Sequence, residues 1–225
     1  MKKLFILAIT FGAKWAWGQV EYGPSVPPGR IYNLNHGPVY VLEPINLDSL
    51  RAADEFEEGQ NLPFRFGHSV KTPLDLVSDG QAVVLPDGSS LWRLTISAPG
   101  AYSLNFVFEY FVMPEGGELY IYSPDYDFFR GAFTHKSNRA DSAFATAPLP
   151  GDRVVFEYKR SPGTPLAKLK IGTTVYGYKN VFFKDALEYG SSGSCNINVN
   201  CPAGANWQNQ KKGEAMILTA GGTRI

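Results

Sequence analysis

Two cysteines, three histidines and one pair of alternating aspartates are the residues here whose types and spacing could do chemistry. Cys195 and Cys201 both lie beyond residue 190, and the chain holds no other cysteine. They can bond to each other, closing a small loop worth roughly 2–3 kcal/mol, or pair with cysteines outside these residues. Neither has a histidine beside it at zinc-ligand spacing. His36, His68 and His135 could each act as a base. A Ser-His-Asp triad, however, needs a nucleophile and an orienting carboxylate within reach of that base, and no nucleophile motif lies near any of the three. Gly190-Ser191-Ser192-Gly193 is not a nucleophile elbow, because no strand-to-helix turn surrounds it. Asp125 and Asp127 offer the hard oxygens that calcium takes, but Asp125 ends the turn signal Ser123-Pro124-Asp125 and Asp127 follows it closely, and both are read as turn residues. Tyr120, Tyr122, Tyr126 and Phe128 read as surface aromatics that could stack on a sugar. Cross-strand packing is the commoner use of such residues. No catalytic residue, metal or cofactor is assigned, and the chain as it stands is not expected to be a working enzyme.

The elements that would position these residues are mostly strands. Trp92, Leu94 and Ile96 alternate with Arg93 and Thr95. Tyr102, Leu104, Phe106, Phe108 and Tyr110 alternate with Ser103, Asn105, Val107 and Glu109, and Val154, Phe156 and Tyr158 with Val155, Glu157 and Lys159. A period of two places the first set of each run on a core face and the second toward solvent. Turn signals separate the runs: Pro86-Asp87-Gly88, Pro99-Gly100, Pro114-Glu115-Gly116-Gly117 and Pro150-Gly151-Asp152. The expected fold is all-β, an antiparallel two-sheet β-sandwich over residues 64–178. A closed barrel is the alternative, and the lack of βαβ alternation argues against a parallel sheet. Upstream, residues 19–63 are a leader. Pro24, Pro27, Pro28 and Gly29 argue against regular structure at its start. After the turn Pro44-Ile45-Asn46 a short helix is expected over 48–58, with Asp48 as N-cap, Leu50, Ala53 and Phe56 on one face, and Asp54, Glu55, Glu57 and Glu58 in solvent. Residues 179–189 read as a linker running into the flexible Gly190–Ser194 tract. Glu214–Leu218 is a strand candidate and Gly221-Gly222 a hairpin signal. Since the returning strand from Thr223 has no partner, residues 190–225 are expected to open a further domain.

Composition and charge narrow the classes. With 44% hydrophobic and 14% aromatic residues the chain can bury a core. The formal charge is zero, so the basic field that a nucleic-acid partner requires is missing. Lys2 and Lys3 precede the apolar stretch Leu4–Ala13, and Ala16-Trp17-Gly18 follows with small residues where a signal peptidase reads. Residues 1–18 therefore read as a signal peptide cut between Gly18 and Gln19. Its removal leaves 18 basic and 21 acidic residues, a net charge of −3. The product is expected to be secreted, periplasmic or at the cell surface. No apolar run is long enough to keep it in a membrane after the cut.

One stretch resembles a known family. The run Gly190-Ser191-Ser192-Gly193-Ser194-Cys195-Asn196-Ile197-Asn198-Val199-Asn200-Cys201-Pro202, with Asn206-Trp207-Gln208 and Ala215-Met216-Ile217, is similar to the opening of the mature enzyme in lysyl-endopeptidase-like, trypsin-fold serine proteases, which are secreted bacterial enzymes. Leu85-Pro86-Asp87-Gly88, Leu91-Trp92-Arg93-Leu94, Met113-Pro114-Glu115-Gly116, Leu119–Pro124, Gly131-Ala132-Phe133-Thr134 and Pro150-Gly151-Asp152 resemble, more loosely, the β-rich pro-region ahead of such proteases. The resemblance implies a cut between Tyr189 and Gly190, with Lys184 as the alternative, since a lysine-specific enzyme cutting itself would want Lys rather than Tyr189. It implies that Cys195 and Cys201 pair with later cysteines, that the triad lies beyond residue 225, and that residues 190–225 begin a trypsin-like β-barrel.

The expectation is thus the N-terminal part of a secreted serine endopeptidase precursor, with its own protease domain as partner. The alternative is a secreted β-sandwich module that binds glycans or surfaces and is attached to a hydrolase.

Overall fold

The computed structural model describes residues 26–58, 60, 62, 64–182, 202–207, 219 and 222. The alternating runs are strands, and the fold is all-β. One sheet takes the order β1 (Val39–Val41), β4 (Ser90–Ser97), β10 (Arg153–Arg160), β6 (Gly117–Tyr122) and β7 (Phe129–Phe133), with β3 (Gln81–Val84) also on β4. The other takes β2 (Gly67–Asp75), β11 (Lys168–Gly177), β5 (Ser103–Val112) and β8 (Phe144–Ala145), with β9 (Leu149–Pro150) also on β5.

The two sheets share one apolar layer. Phe106 and Phe108 of β5 meet Phe156 of β10 edge-on, with ring centroids 4.7 and 6.2 Å apart. Phe111 stacks on Phe144 at 4.2 Å, and Trp92 on Tyr158 at 5.3 Å. Each such side chain fully buried contributes about 1.5–3 kcal/mol. The buried Tyr158 hydroxyl accepts from Ala167 N–H at 3.0 Å, so its polar end is satisfied.

Pairing departs from the all-antiparallel expectation at one place. β1 runs parallel to the Thr95–Ser97 half of β4, while β3 runs antiparallel to the Ser90–Arg93 half. Two short strands thus share one edge of β4. The phase of β5 also departs from expectation. Lys170 pairs Tyr110 and Ile171 pairs Phe108, so Glu109 is an extra residue on β5. An inserted residue flips the alternation beyond it. Phe111 and Met113 therefore turn inward, and Tyr110, expected in the core, is half exposed. Tyr102, just before the strand, is exposed as well.

Most of the outward sets is covered, although Glu109 is exposed and Val107 and Lys159 are half-buried. Arg93, Thr95, Val155 and Glu157 are buried, as are Ser103 and Asn105. On the first sheet the cover is the segment 26–38, expected to be irregular. Pro28 instead sits at the first position of a single helical turn, α1 (Pro28–Ile31), where its fixed φ fits and its missing N–H costs nothing. From there the chain crosses the sheet: Thr95 N–H donates to Pro38 O at 2.9 Å and Thr95 Oγ1 to His36 O at 2.8 Å.

The predicted helix forms as α2 (Leu47–Glu58). Its cap is Asn46 rather than Asp48: Asn46 Oδ1 accepts from Ser49 N–H at 3.0 Å, the contact an N-cap makes with the third helical residue. Ile45, Leu47 and Leu50 pack on the core, whereas Phe56 is exposed. Among the acids expected in solvent, Asp54 is buried.

At the start of β2 the backbone N–H groups of Phe66 and Gly67 both donate to the carbonyl oxygen of Gly222, at 2.8 and 3.0 Å. The proposed cut sites at Gly18, Gln19, Tyr189 and Gly190, the cysteines Cys195 and Cys201, the strand candidate 214–218 and the start of a barrel lie outside the described residues.

Candidate functional site

Two polar clusters concentrate the chemistry of the described residues. The first lies between the outer face of the first sheet and the strap formed by residues 26–38. β10 presents Glu157, flanked in register by Arg93 of β4 and Tyr120 of β6. One carboxylate oxygen accepts from Gly29 N–H at 2.9 Å, the other from the Tyr122 hydroxyl at 2.8 Å. Tyr122 stacks on Tyr126 at 4.8 Å, and the Arg30 guanidinium lies 5.1 Å from the Tyr126 ring centre. His36 meets both tyrosines edge-on, at 6.3 and 5.9 Å. Arg93 Nη1 donates to Asn35 O, while its buried Nε has no hydrogen-bond partner. Gly29 must be glycine, because a Cβ there would run into the Glu157 carboxylate.

Burial dominates the electrostatics. It pushes Glu157 above the usual carboxylate value, although Gly29 N–H, the Tyr122 hydroxyl and Arg93 all favour the charge. It raises Tyr122 well above a free phenol, with the Glu157 charge adding to the effect. It lowers His36, helped by the Arg93 charge. Gly29 N–H and the Tyr122 hydroxyl each bind one oxygen of the carboxylate. The cluster is a clamp that holds the strap on the sheet and can take up a proton.

The second cluster centres on Asp54 of α2, only 6% exposed. Its carboxylate accepts from the Tyr178 hydroxyl at 2.9 Å and from Arg65 Nε at 3.0 Å, and Lys179 Nζ lies 3.1 Å away. Arg65 Nη2 also reaches Glu57 at 2.8 Å. Burial and the Asp54 carboxylate together raise Tyr178 above a free phenol. Two cations and one hydroxyl around one acid let the charge be buried. They tie α2 to the entry of β2 and the exit of β11, on either side of Phe66 and Gly67.

The structure does not bring the sequence candidates together. His36 is part of the strap and meets Tyr122, His68 is on β2 opposite Tyr176, and His135 begins a 3-10 turn after β7. Asp125 accepts from Ser123 Oγ and from Asp127 N–H, the contacts of a turn residue, and these hold its carboxyl below the usual value. Among the described residues no group of three or more His, Cys, Asp or Glu side chains converges. Tyr120 and Tyr122, read as surface aromatics, are 2% and 0% exposed. Tyr126 and Phe129 pack against them, and Glu157 binds the Tyr122 hydroxyl, so neither ring presents a face to a sugar.

Glu157, Arg93 and Asp54 escaped sequence reasoning. Alternation placed Arg93 and Glu157 on the outward face of β4 and β10, and nothing in it signalled the strap that covers them. Comparison of the chain with protein-family models finds no match, and comparison with solved structures finds none either.

Proposed function

We propose that this chain is the N-terminal part of a secreted, trypsin-like serine endopeptidase precursor. The all-β unit is its pro-region, which assists folding of the protease and holds it inactive until a cut near Gly190. The observation that carries the reading is the run Gly190–Pro202, with its two cysteines and the Asn206-Trp207-Gln208 that follows.

The clamps support it from the side of the fold. They spend the acids Asp54 and Glu157 on holding the strap, α2 and the sheets together, as a binding scaffold does. A pro-region that binds the native protease better than the unfolded chain stabilises it by linkage. A covalent connection supplies that binding at high effective concentration.

The test is to add residues 19–189 to the denatured protease domain of the same gene. The expected result is a higher refolding yield together with suppressed peptidase activity in the refolded mixture. Unchanged yield and unchanged activity overturn the proposal.

A further inference from the structure

The first sheet is open and uncharged along β1. β1 pairs only with β4, and no other described strand lies on its far side. Thr95 N–H donates to Pro38 O at 2.9 Å, and Leu42 N–H to Ser97 O at 2.8 Å. In a parallel ladder alternate residues serve the neighbouring strand. Pro38, Tyr40 and Leu42 therefore face β4, while Val39 and Val41 turn their N–H and C=O groups outward. No described residue bonds these four groups. The side chains are open as well: Val39 is 53% exposed, Val41 56% and Tyr40 36%.

Exposed strand edges invite pairing, and folds guard them with charge, proline or shortness. β2 carries Lys71 and Pro73, β7 carries Arg130, and β8 is two residues long. Val39-Tyr40-Val41 has none of these guards. β3, also on β4, has none either, but Gln81-Ala82-Val83-Val84 reads differently in its two directions. Val-Tyr-Val reads the same both ways. Antiparallel pairing of a strand with its own copy opposes residues in reversed order. Centred on Tyr40, it sets Val39 against Val41 twice and Tyr40 against Tyr40. The outward groups belong to Val39 and Val41, so both valine pairs fall on hydrogen-bonded positions. The tyrosine pair falls between them, on the non-bonded position where side chains come closest. Backbone phase and side-chain order demand the same register. A foreign strand would need no such symmetry.

We infer that β1 is a self-pairing edge: two copies of this chain join β1 to β1, antiparallel, about a twofold axis through Tyr40, and their first sheets run on as one. Such an interface is isologous and closes at two copies. Three side chains from each copy bury far less than the roughly 1,200 Å² of a standard interface, so the pair is weak and governed by concentration. The inference is independent of the precursor reading.

The experiment is sedimentation equilibrium on the full chain under reducing conditions, so that Cys195 and Cys201 cannot cross-link copies. Between about 10 µM and about 1 mM, a range that spans weak association, the mass is expected to rise from that of one chain toward that of two. Val39→Lys with Val41→Lys sets like charges opposite each other and is expected to weaken pairing about tenfold. Val39→Glu with Val41→Lys makes both cross-strand pairs opposite in charge in this register and is expected to restore it. Neither valine is buried, so both variants are expected to keep the wild-type thermal midpoint. In a second arm, with Cys195→Ser and Cys201→Ser, Tyr40→Cys is expected to form a disulfide-linked dimer on mild oxidation, because a non-bonded antiparallel pair brings the Cα atoms to about 4.5 Å. Val84→Cys, exposed on β3, is expected to stay monomeric. A chain that remains monomeric at the highest concentration overturns the inference. So does a Glu-Lys variant that pairs no better than the Lys-Lys variant, or a Val84→Cys chain that cross-links as readily as Tyr40→Cys.

Discussion

At the scale of single residues, two titrating groups where the strap meets the sheet pull stability in opposite directions. Glu157 has its folded-state pKa raised from an ordinary value near 4.5. A raised value means the folded state binds the proton more tightly, so its contribution is full below pH 4.5 and is lost as pH rises through the folded value. His36 has its value lowered from 6.5. Its contribution is full above pH 6.5 and is lost as pH falls through the folded value. Glu157→Gln is therefore expected to flatten the decline on the alkaline side of pH 4.5, and His36→Asn the decline on the acid side of pH 6.5. Denaturant midpoints measured between pH 4 and 8 for the two variants check this. Identical pH profiles for wild type and Glu157→Gln would refute the assignment of Glu157. Neither group could be ranked from sequence. His36 stood as one of three undifferentiated histidines, and Glu157 as one outward residue in an alternating run.

At the scale of elements, the contrast between what was legible and what was not follows from what periodicity encodes. Alternation in Trp92–Ile96 and Val154–Tyr158 reports which side chains share a face, and β4 and β10 formed as expected. It does not report what covers the other face, and so the burial of Arg93 and Glu157 was invisible. Turn chemistry was legible because it is local: Gly88 adopts φ +79° and Asp87 accepts from Ser89 N–H at 2.9 Å. The bulge at Glu109 was not legible, because it arises from register with β11 rather than from residues near it in the chain. α2 shows the same divide. Its existence was readable from 48–58, but the role of Asp54 depends on Arg65, Tyr178 and Lys179, which come from other elements. That dependence makes a prediction. Asp54→Ala takes from Arg65 and Lys179 the acid they share, leaving Arg65 its contact with Glu57, and breaking a buried pair costs about 3–5 kcal/mol. The thermal midpoint should fall sharply, with α2 and the entry of β2 losing amide protection first. A midpoint within a degree or two of wild type would contradict the clamp.

At the scale of the whole molecule, the two clamps that complete the fold join residues far apart along the chain. Gly29 and Glu157 are 128 residues apart, and Asp54 and Tyr178 are 124 apart. Closing loops of that length is slow, so such contacts are expected to form after the folding barrier. Gly29→Ala forces a methyl group against the Glu157 carboxylate and should destabilise by about 1–3 kcal/mol. That loss is expected to raise the unfolding rate and leave the refolding rate unchanged, which a chevron plot resolves. A slower refolding limb would place the strap in the nucleus instead. The strap has one more consequence, in the timing of synthesis. A ribosome makes Gly29 long before Glu157 exists, so for most of translation the nascent N-terminus has nothing to grip. The strap is thus made early and fastened late, once β10 has left the ribosome.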